Sequence, residues 1–182
     1  MRAMATPVLL PAHINDGDDV VIRLWADEDA EALGIAIGES TDHLRPWMAW
    51  IANEPTSLDD RRAQISEWLD EWRSGGSATY GILVDGRVAG GTGLHHRGVP
   101  RTLEIGYWLH PDFVGRGLAT RVSRVLTTAG LAVEGIDAVE IHHALGNERS
   151  AGVPRRLGYR RLPDIEGECA ASWRIEQAEW AT

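Results

Sequence analysis

Residues 109–119 read Leu109-His110-Pro111-Asp112-Phe113-Val114-Gly115-Arg116-Gly117-Leu118-Ala119, and this stretch decides the fold. An apolar, strand-like run from Leu103 to Leu109 stops just before a proline. Two glycines then flank Arg116, and a helix-like segment follows through Thr120, Val122, Val125, Leu126 and Ala129. Strand, glycine loop and helix start together place free backbone N–H groups at the positive end of a helix dipole. Such a site is suited to phosphate, and the glycines let a pyrophosphate approach the backbone closely. Neither common phosphate motif fits. There is no Gly-Lys-Ser/Thr, the chain has no lysine at all, and the third glycine and distant acid of a dinucleotide fold are missing.

The surrounding pattern extends this unit in both directions. Residues 1–18 read as a loose N-terminal arm, and the domain spans 19–177. Val20 to Trp25 reads as a first strand. Asp27 can cap a helix through Ala30, Leu33 and Ile37, and Leu44 to Trp50 reads as a short apolar helix with an early Pro46. Ser57 and Asp60 open a helix that places Ile65, Trp68, Leu69 and Trp72 on one core-facing side, and Ser74-Gly75-Gly76 ends it. The period then changes. Thr79 to Val84 and Arg87 to Leu94 are strands joined by Asp85-Gly86, a hairpin signal. Leu103 to Leu109 is the fourth strand, a helix covers about 116–134, and Ala138 to His143 is the fifth strand. A helix from Asn147 stops near Gly158. Tyr159 to Leu162 and Ala170 to Glu176 close the sheet through a polar loop containing Gly167. The order implies one mixed α/β (α+β) domain.

Composition narrows the function classes. The chain has 182 residues, 43% hydrophobic and 25% charged, enough for one domain with a sizeable core. No apolar run approaches the ~20 residues a membrane span needs, and no secretory signal pattern opens the chain. A single cysteine, Cys169, excludes a disulfide framework and favours a cytoplasmic setting; it reads as a small strand residue rather than a nucleophile. The net charge of −9 argues against nucleic acid as a direct partner and suits a cationic amine, or serves solubility alone. His95-His96 and His142-His143 suggest metal ligands at first sight. On strands, however, neighbours point to opposite faces, and no cysteine or aspartate joins them at ligand spacing, so no metal is expected.

The glycine loop resembles the acyl-CoA loop of the GNAT N-acetyltransferases, Arg/Gln-x-x-Gly-x-Gly/Ala, at Val114, Gly115, Arg116, Gly117, Leu118 and Ala119, with valine in place of the usual polar first residue. Asn147-Glu148-Arg149-Ser150, leading to Val153, Leu157, Gly158 and Tyr159, resembles the family's Asn-x-x-Ser-x-x-Val helix. Thr41-Asp42-His43-Leu44-Arg45-Pro46-Trp47-Met48 and Glu104-Ile105-Gly106-Tyr107-Trp108-Leu109 are similar to the RimJ/RimL-like branch, which acetylates ribosomal-protein N-termini. These segments span roughly residues 20–160.

The resemblance implies a mostly antiparallel sheet flanked by helices, with the fourth and fifth strands splayed around the coenzyme's pantetheine arm. Acetyl-CoA is the implied co-substrate. Its arm would pair beside Leu109, and its pyrophosphate would sit on Gly115 to Thr120, with Arg116 either adding a contact or facing solvent. Glu104 is implied as general base acting through a water, with His142 or His143 as second choice. Ser150 is implied on the thiol side, because the tyrosine many relatives carry one helical turn later is Pro154 here. Asn147 is a helix cap, a cofactor contact or both. His43 and Trp47 would line the acceptor pocket with His142. At neutral pH, deprotonating a lysine-like amine of pKa ~10.4 costs about 4–5 kcal/mol, against about 1 kcal/mol for an α-amine of pKa ~8. A carboxylate base is therefore better matched to an α-amine. The acceptor, a protein N-terminus or a small amine, is left open, as is monomer against homodimer. Rival readings are a non-catalytic acyl-CoA-binding regulator of the same fold and a nucleotide-phosphate binder.

Overall fold

The computed structural model describes residues 8–15, 17, 19–164 and 169–180. Eight strands form one sheet: β1 (His13–Asn15), β2 (Val20–Leu24), β3 (Ala78–Val84), β4 (Arg87–His95), β5 (Thr102–Leu109), β6 (Ala138–Ala144), β7 (Arg160–Arg161) and β8 (Ala170–Glu176), in the spatial order β1-β2-β3-β4-β5-β6-β8-β7. The helices are α1 (Ala30–Leu44), α2 (Leu58–Arg73), α3 (Leu118–Leu131), α4 (Glu148–Arg156) and the short α5 (Gln177–Trp180). The strands expected fourth and fifth are β5 and β6. The polar loop around Gly167 lies outside the described residues.

Every neighbouring pair is antiparallel except β5 with β6. The β3–β4 hairpin turns on Asp85 and Gly86, both with positive φ, as a two-residue turn of this kind requires. The parallel β5–β6 ladder runs from Thr102↔Ala138 to Ile105↔Ile141 and ends there. Beyond it β5 stays paired with β4 out to Gly90↔Leu109, and β6 stays paired with β8 out to Ala144↔Ala170. The two strands therefore diverge over Gly106–Leu109 and His142–Ala144, each held by its outer neighbour. This is the expected splay.

Burial on the two faces keeps the wedge in place. Side chains alternate across a strand. Leu103 and Ile105 of β5, Val139 and Ile141 of β6, and Val122 and Leu126 of α3 share one fully buried cluster. Fully burying one such side chain contributes about 1.5–3 kcal/mol, so this seam anchors the closed half of the wedge. On the opposite face α1, α2 and the turn between them bury Leu33, Ile37, Ile65 and Ile51 against Trp25, with Trp68, Leu69 and Trp108 packed at the margin.

Two local expectations change. His13–Asn15, expected in a loose arm, pairs with β2. The Trp72 indole donates to the Leu10 carbonyl at 2.7 Å and the Tyr80 hydroxyl to the Pro11 carbonyl at 2.8 Å. The core thus tethers this segment across a long sequence gap that no local pattern records. The short helix expected over Leu44 to Trp50 is absent as such: α1 continues to Leu44, and a 3-10 turn forms at Ala49–Asn53. The reason is that the apolar series Leu33, Ile37, Leu44 belongs to a single helix face, and Pro46 permits no continuation beyond it.

Candidate active site

The loop after β5 has the expected backbone. A 3-10 turn at Pro111–Phe113 precedes Gly115 (φ 78°) and Gly117 (φ 75°), both left-handed. Gly117 is the N-cap of α3 and supplies no side-chain acceptor, so the first-turn N–H groups are capped by no side chain. They face a cavity of about 990 Å³ lined here by Val114, Gly115, Gly117, Leu118, Ala119 and Thr120. Leu109, Asn147 and Ser150 line its middle, and His43 and Trp47 its far end. A cavity of this size holds a large cofactor arm together with an acceptor.

The Arg116 side chain does not reach it. Its guanidinium lies over the Phe113 ring, 5.8 Å from the centroid, with Arg87 at 5.3 Å from the same ring. Sitting between two left-handed glycines, Arg116 lies outside the cavity lining that Gly115 and Gly117 join. The cations that do line the cavity are Arg121, Arg124, Arg149 and Arg156, none expected from the sequence. Arg121 makes a two-pronged pair with Asp19 at 2.6 and 2.8 Å, and Arg156 reaches the Thr120 hydroxyl at 3.4 Å. An arginine cluster on an acidic protein suits the phosphates of a nucleotide-bearing cofactor. The sequence signal was there: Arg121 and Arg124 lie three apart on α3, on the side opposite its buried Val122 and Leu126.

Asn147 is the N-cap of α4; its Oδ1 accepts from the Ser150 N–H at 3.1 Å. That bond fixes Ser150 on the cavity wall. The Ser150 hydroxyl lies 2.7 Å from the hydroxyl of Tyr107, another lining residue that sequence reasoning did not single out. Pro154 sits inside α4 as expected.

At the acceptor end, Trp47 is 39% exposed, and Trp108 meets Trp50 edge to face at 6.3 Å. The pKa of His43 is pushed below the usual histidine range, first by burial and then by Arg149, so the ring is neutral near pH 7.

Glu104 and His142 stand together, outside the cavity lining, at the closed end of the wedge. The parallel register sets Glu104 beside Glu140, and alternation brings His142 to the same face. His142 Nδ1 is 3.4 Å from Glu104 and its Nε2 is 2.8 Å from Glu140. Arg174 holds the far side of Glu140 at 2.9 Å. The His142 hydrogen bond, opposed by burial and helped by Arg174, keeps the Glu140 carboxyl below the usual range. Between Glu104 and Trp108 on this face lies Gly106. A Cβ there would meet only His95, at 3.7 Å, so the strand surface is bare between the carboxylate and the acceptor mouth.

The other histidines are engaged elsewhere. His143 points to the opposite face; its Nε2 accepts from the Trp173 indole at 3.0 Å, and its Nδ1 is 3.0 Å from the Ala144 carbonyl. That geometry removes it as second choice for the base. His95 folds over Gly93, and burial pushes its pKa down to about 4. Among the described residues no three His, Cys, Asp or Glu side chains converge as a metal site would require. Cys169 is exposed and precedes β8 rather than forming part of a strand.

The sequence profile of the GNAT acetyltransferase domain matches residues 19–160. A curated protein of Bacillus subtilis (strain 168), named "Putative ribosomal N-acetyltransferase YdaF", is 34% identical over 144 residues, covering 78% of each chain. A crystal structure of a probable acetyltransferase superposes with a TM-score of 0.83 at 29% identity, covering 92% of this chain and 98% of the other. RimL, a ribosomal L7/L12 α-N-protein acetyltransferase solved in complex with coenzyme A, shares the fold at a TM-score of 0.80 and 19% identity, over 90% of this chain and 97% of its own. A glycine loop capping a helix, a cavity that runs into diverging parallel strands and these matches lead to one conclusion: the chain belongs to the GNAT acetyltransferase family.

Proposed function

We propose that this acetyltransferase moves the acetyl group of acetyl-CoA directly onto the α-amine of a protein or peptide N-terminus. The observation that carries the reading is the divergence of β5 and β6 directly beside a side-chain-free helix N-terminus, both opening on one cavity. The loop amides hold the pyrophosphate, with Arg124 and Arg156 beside it. The pantetheine arm lies along Gly106–Leu109, where β5 offers main-chain groups on the side that β6 has left. One of these amides polarises the thioester carbonyl.

Glu104 takes the amine's proton through water along the bare strip at Gly106, and His142 holds the carboxylate in place. The acetyl–nitrogen bond forms, the carbon–sulfur bond breaks with its electron pair on sulfur, and Ser150 faces the departing thiolate. A carboxylate base suits an α-amine, whose deprotonation near neutral pH costs only about 1 kcal/mol. An open mouth flanked by Trp47, Met48 and Trp108 suits a peptide end better than a small polar amine. The name of the B. subtilis relative points the same way. One exposed cysteine accords with a cytoplasmic enzyme, acting as monomer or homodimer without metal, nucleic acid or membrane.

The test is thiol release from acetyl-CoA with short peptides differing only at the N-terminus, beside the same peptides N-terminally blocked but bearing a lysine, and a panel of small amines. Turnover confined to free α-amines of peptides is expected. Turnover on small amines alone overturns the acceptor assignment, and heat-free titration with CoA overturns the whole reading.

A further inference from the structure

Tyr107 sits on the part of β5 that has parted from β6. Its hydroxyl is 2.7 Å from the Ser150 hydroxyl and 3.3 Å from the Ser150 carbonyl oxygen. That carbonyl is unusual for a helix. Its regular donor would be the N–H four residues on, and residue 154 is proline. The Tyr107 hydroxyl thus has two acceptors within reach and one proton to give.

The two choices leave Ser150 in different states. If Tyr107 donates to the carbonyl, the Ser150 hydroxyl donates back to the phenol oxygen, and only its lone pairs face the cavity. If Tyr107 donates to Oγ, the Ser150 proton is displaced and points into the cavity. A neutral thioester sulfur, a poor acceptor, does little to distinguish them. A developing thiolate selects the second, because only that arrangement presents a donor.

We propose that Tyr107 is the positioning residue that turns Ser150 into the hydrogen-bond donor for the CoA thiolate, with the carbonyl freed by Pro154 as its resting acceptor. The inference rests on the acetyl-transfer reading above. The proton balance is simple. The amine's proton goes to Glu104 by way of water, the electron pair of the broken carbon–sulfur bond stays on sulfur, and the thiolate is protonated from solvent as CoA leaves. Neither Tyr107 nor Ser150 gives up its proton; each only redirects it. Burial, against the opposing pull of Ser150 and Arg156, pushes the Tyr107 phenol up to about 12, so it remains a donor throughout the working range.

The test reads the thiol, not turnover. CoA is bound to the full chain and its thiolate absorbance titrated against pH, with desulfo-CoA as blank. Binding is expected to lower the thiol pKa by about one unit from its value in free CoA, measured in the same titration. Tyr107→Phe is expected to cancel at least half of that shift, with melting temperature and CoA affinity at about pH 6, where the thiol is protonated free and bound, unchanged, and to lower kcat about tenfold at constant KM for acetyl-CoA. Pro154→Ala restores a helical donor to the Ser150 carbonyl and supplies the discriminating background. If Tyr107→Phe still cancels the shift there, the hydroxyl acts on Oγ as proposed. If Tyr107→Phe is silent in that background, Tyr107 serves only to hold the carbonyl, and the proposal falls. It falls equally if the thiol of bound CoA is unshifted in a protein that binds and turns over normally. Failure to bind CoA at all sinks the acetyl-transfer reading with it.

Discussion

The two halves of β5 have the same neighbour on one side and different fates on the other. Thr102–Ile105 is zipped to β6, and its outward face carries Glu104 in a chain of side-chain contacts running through His142 and Glu140 to Arg174. Gly106–Leu109 has parted from β6, and its side chains Tyr107, Trp108 and Leu109 line the cavity. In the proposed reaction the closed half supplies the base, Glu104, in contact with His142. The open half supplies room, main-chain groups and a hydroxyl pair. Acetyl transfer needs both, and one strand delivers them about two residues apart because pairing stops at Ile105.

The sharpest way to break this division is Glu104→Gln, which keeps shape and removes the proton acceptor. We expect kcat to fall by about 10²–10³, with acetyl-CoA affinity by calorimetry unchanged. A weakened affinity would mean that the closed half serves cofactor binding instead. A smaller effect is expected from Gly106→Ala, whose Cβ lands on the bare strip between the halves and meets only His95, at 3.7 Å. The carboxylate itself is untouched, but the proposed water path to the amine is filled. An approximately tenfold loss in kcat/KM for the amine, at constant CoA affinity and melting temperature, is expected. An unaffected rate would place the proton's route elsewhere.

The last effect is read on stability rather than on rate. His95 is depressed to about 4 in the folded protein, against 6.5 for a free histidine. Between those values the unfolded chain binds more protons than the folded one. Stability is therefore full above pH 6.5, declines as the pH falls towards 4, and levels off below. His95→Gln should flatten that part of the stability curve by up to about 3 kcal/mol, measured by urea unfolding at several pH values.

The same contrast explains what the sequence disclosed. The glycine loop was legible because its shape rests on contiguous backbone: Pro111, Gly115 and Gly117 fix the turn by local rules. The β3–β4 hairpin and the α2 cap, where Ser57 accepts from the Asp60 N–H at 3.1 Å, are local in the same sense. Arg116 shows the limit of this reading, since its position in the motif gives no direction for its side chain. The Tyr107–Ser150 contact joins residues 43 apart and depends on how α4 settles on β5. Arg124 and Arg156 likewise meet the cavity only after two helices pack. The β1 strand has three residues and no alternation to advertise it; Trp72 and Tyr80, which tether the segment just before it, are distant in sequence.

A strand edge is ordinarily a hazard, because any other extended chain can add to it. The edge that β5 turns toward the gap lies inside the sheet, between ribbons pinned on both outer sides. A protein segment seeking to insert would bring side chains above and below the sheet plane, where helices already pack. The proposed guest, whose β-alanine and cysteamine end bears amides and no branches, meets no such obstacle. Girth thus acts as a sieve, admitting a narrow guest to hydrogen-bonding groups that would otherwise invite aggregation.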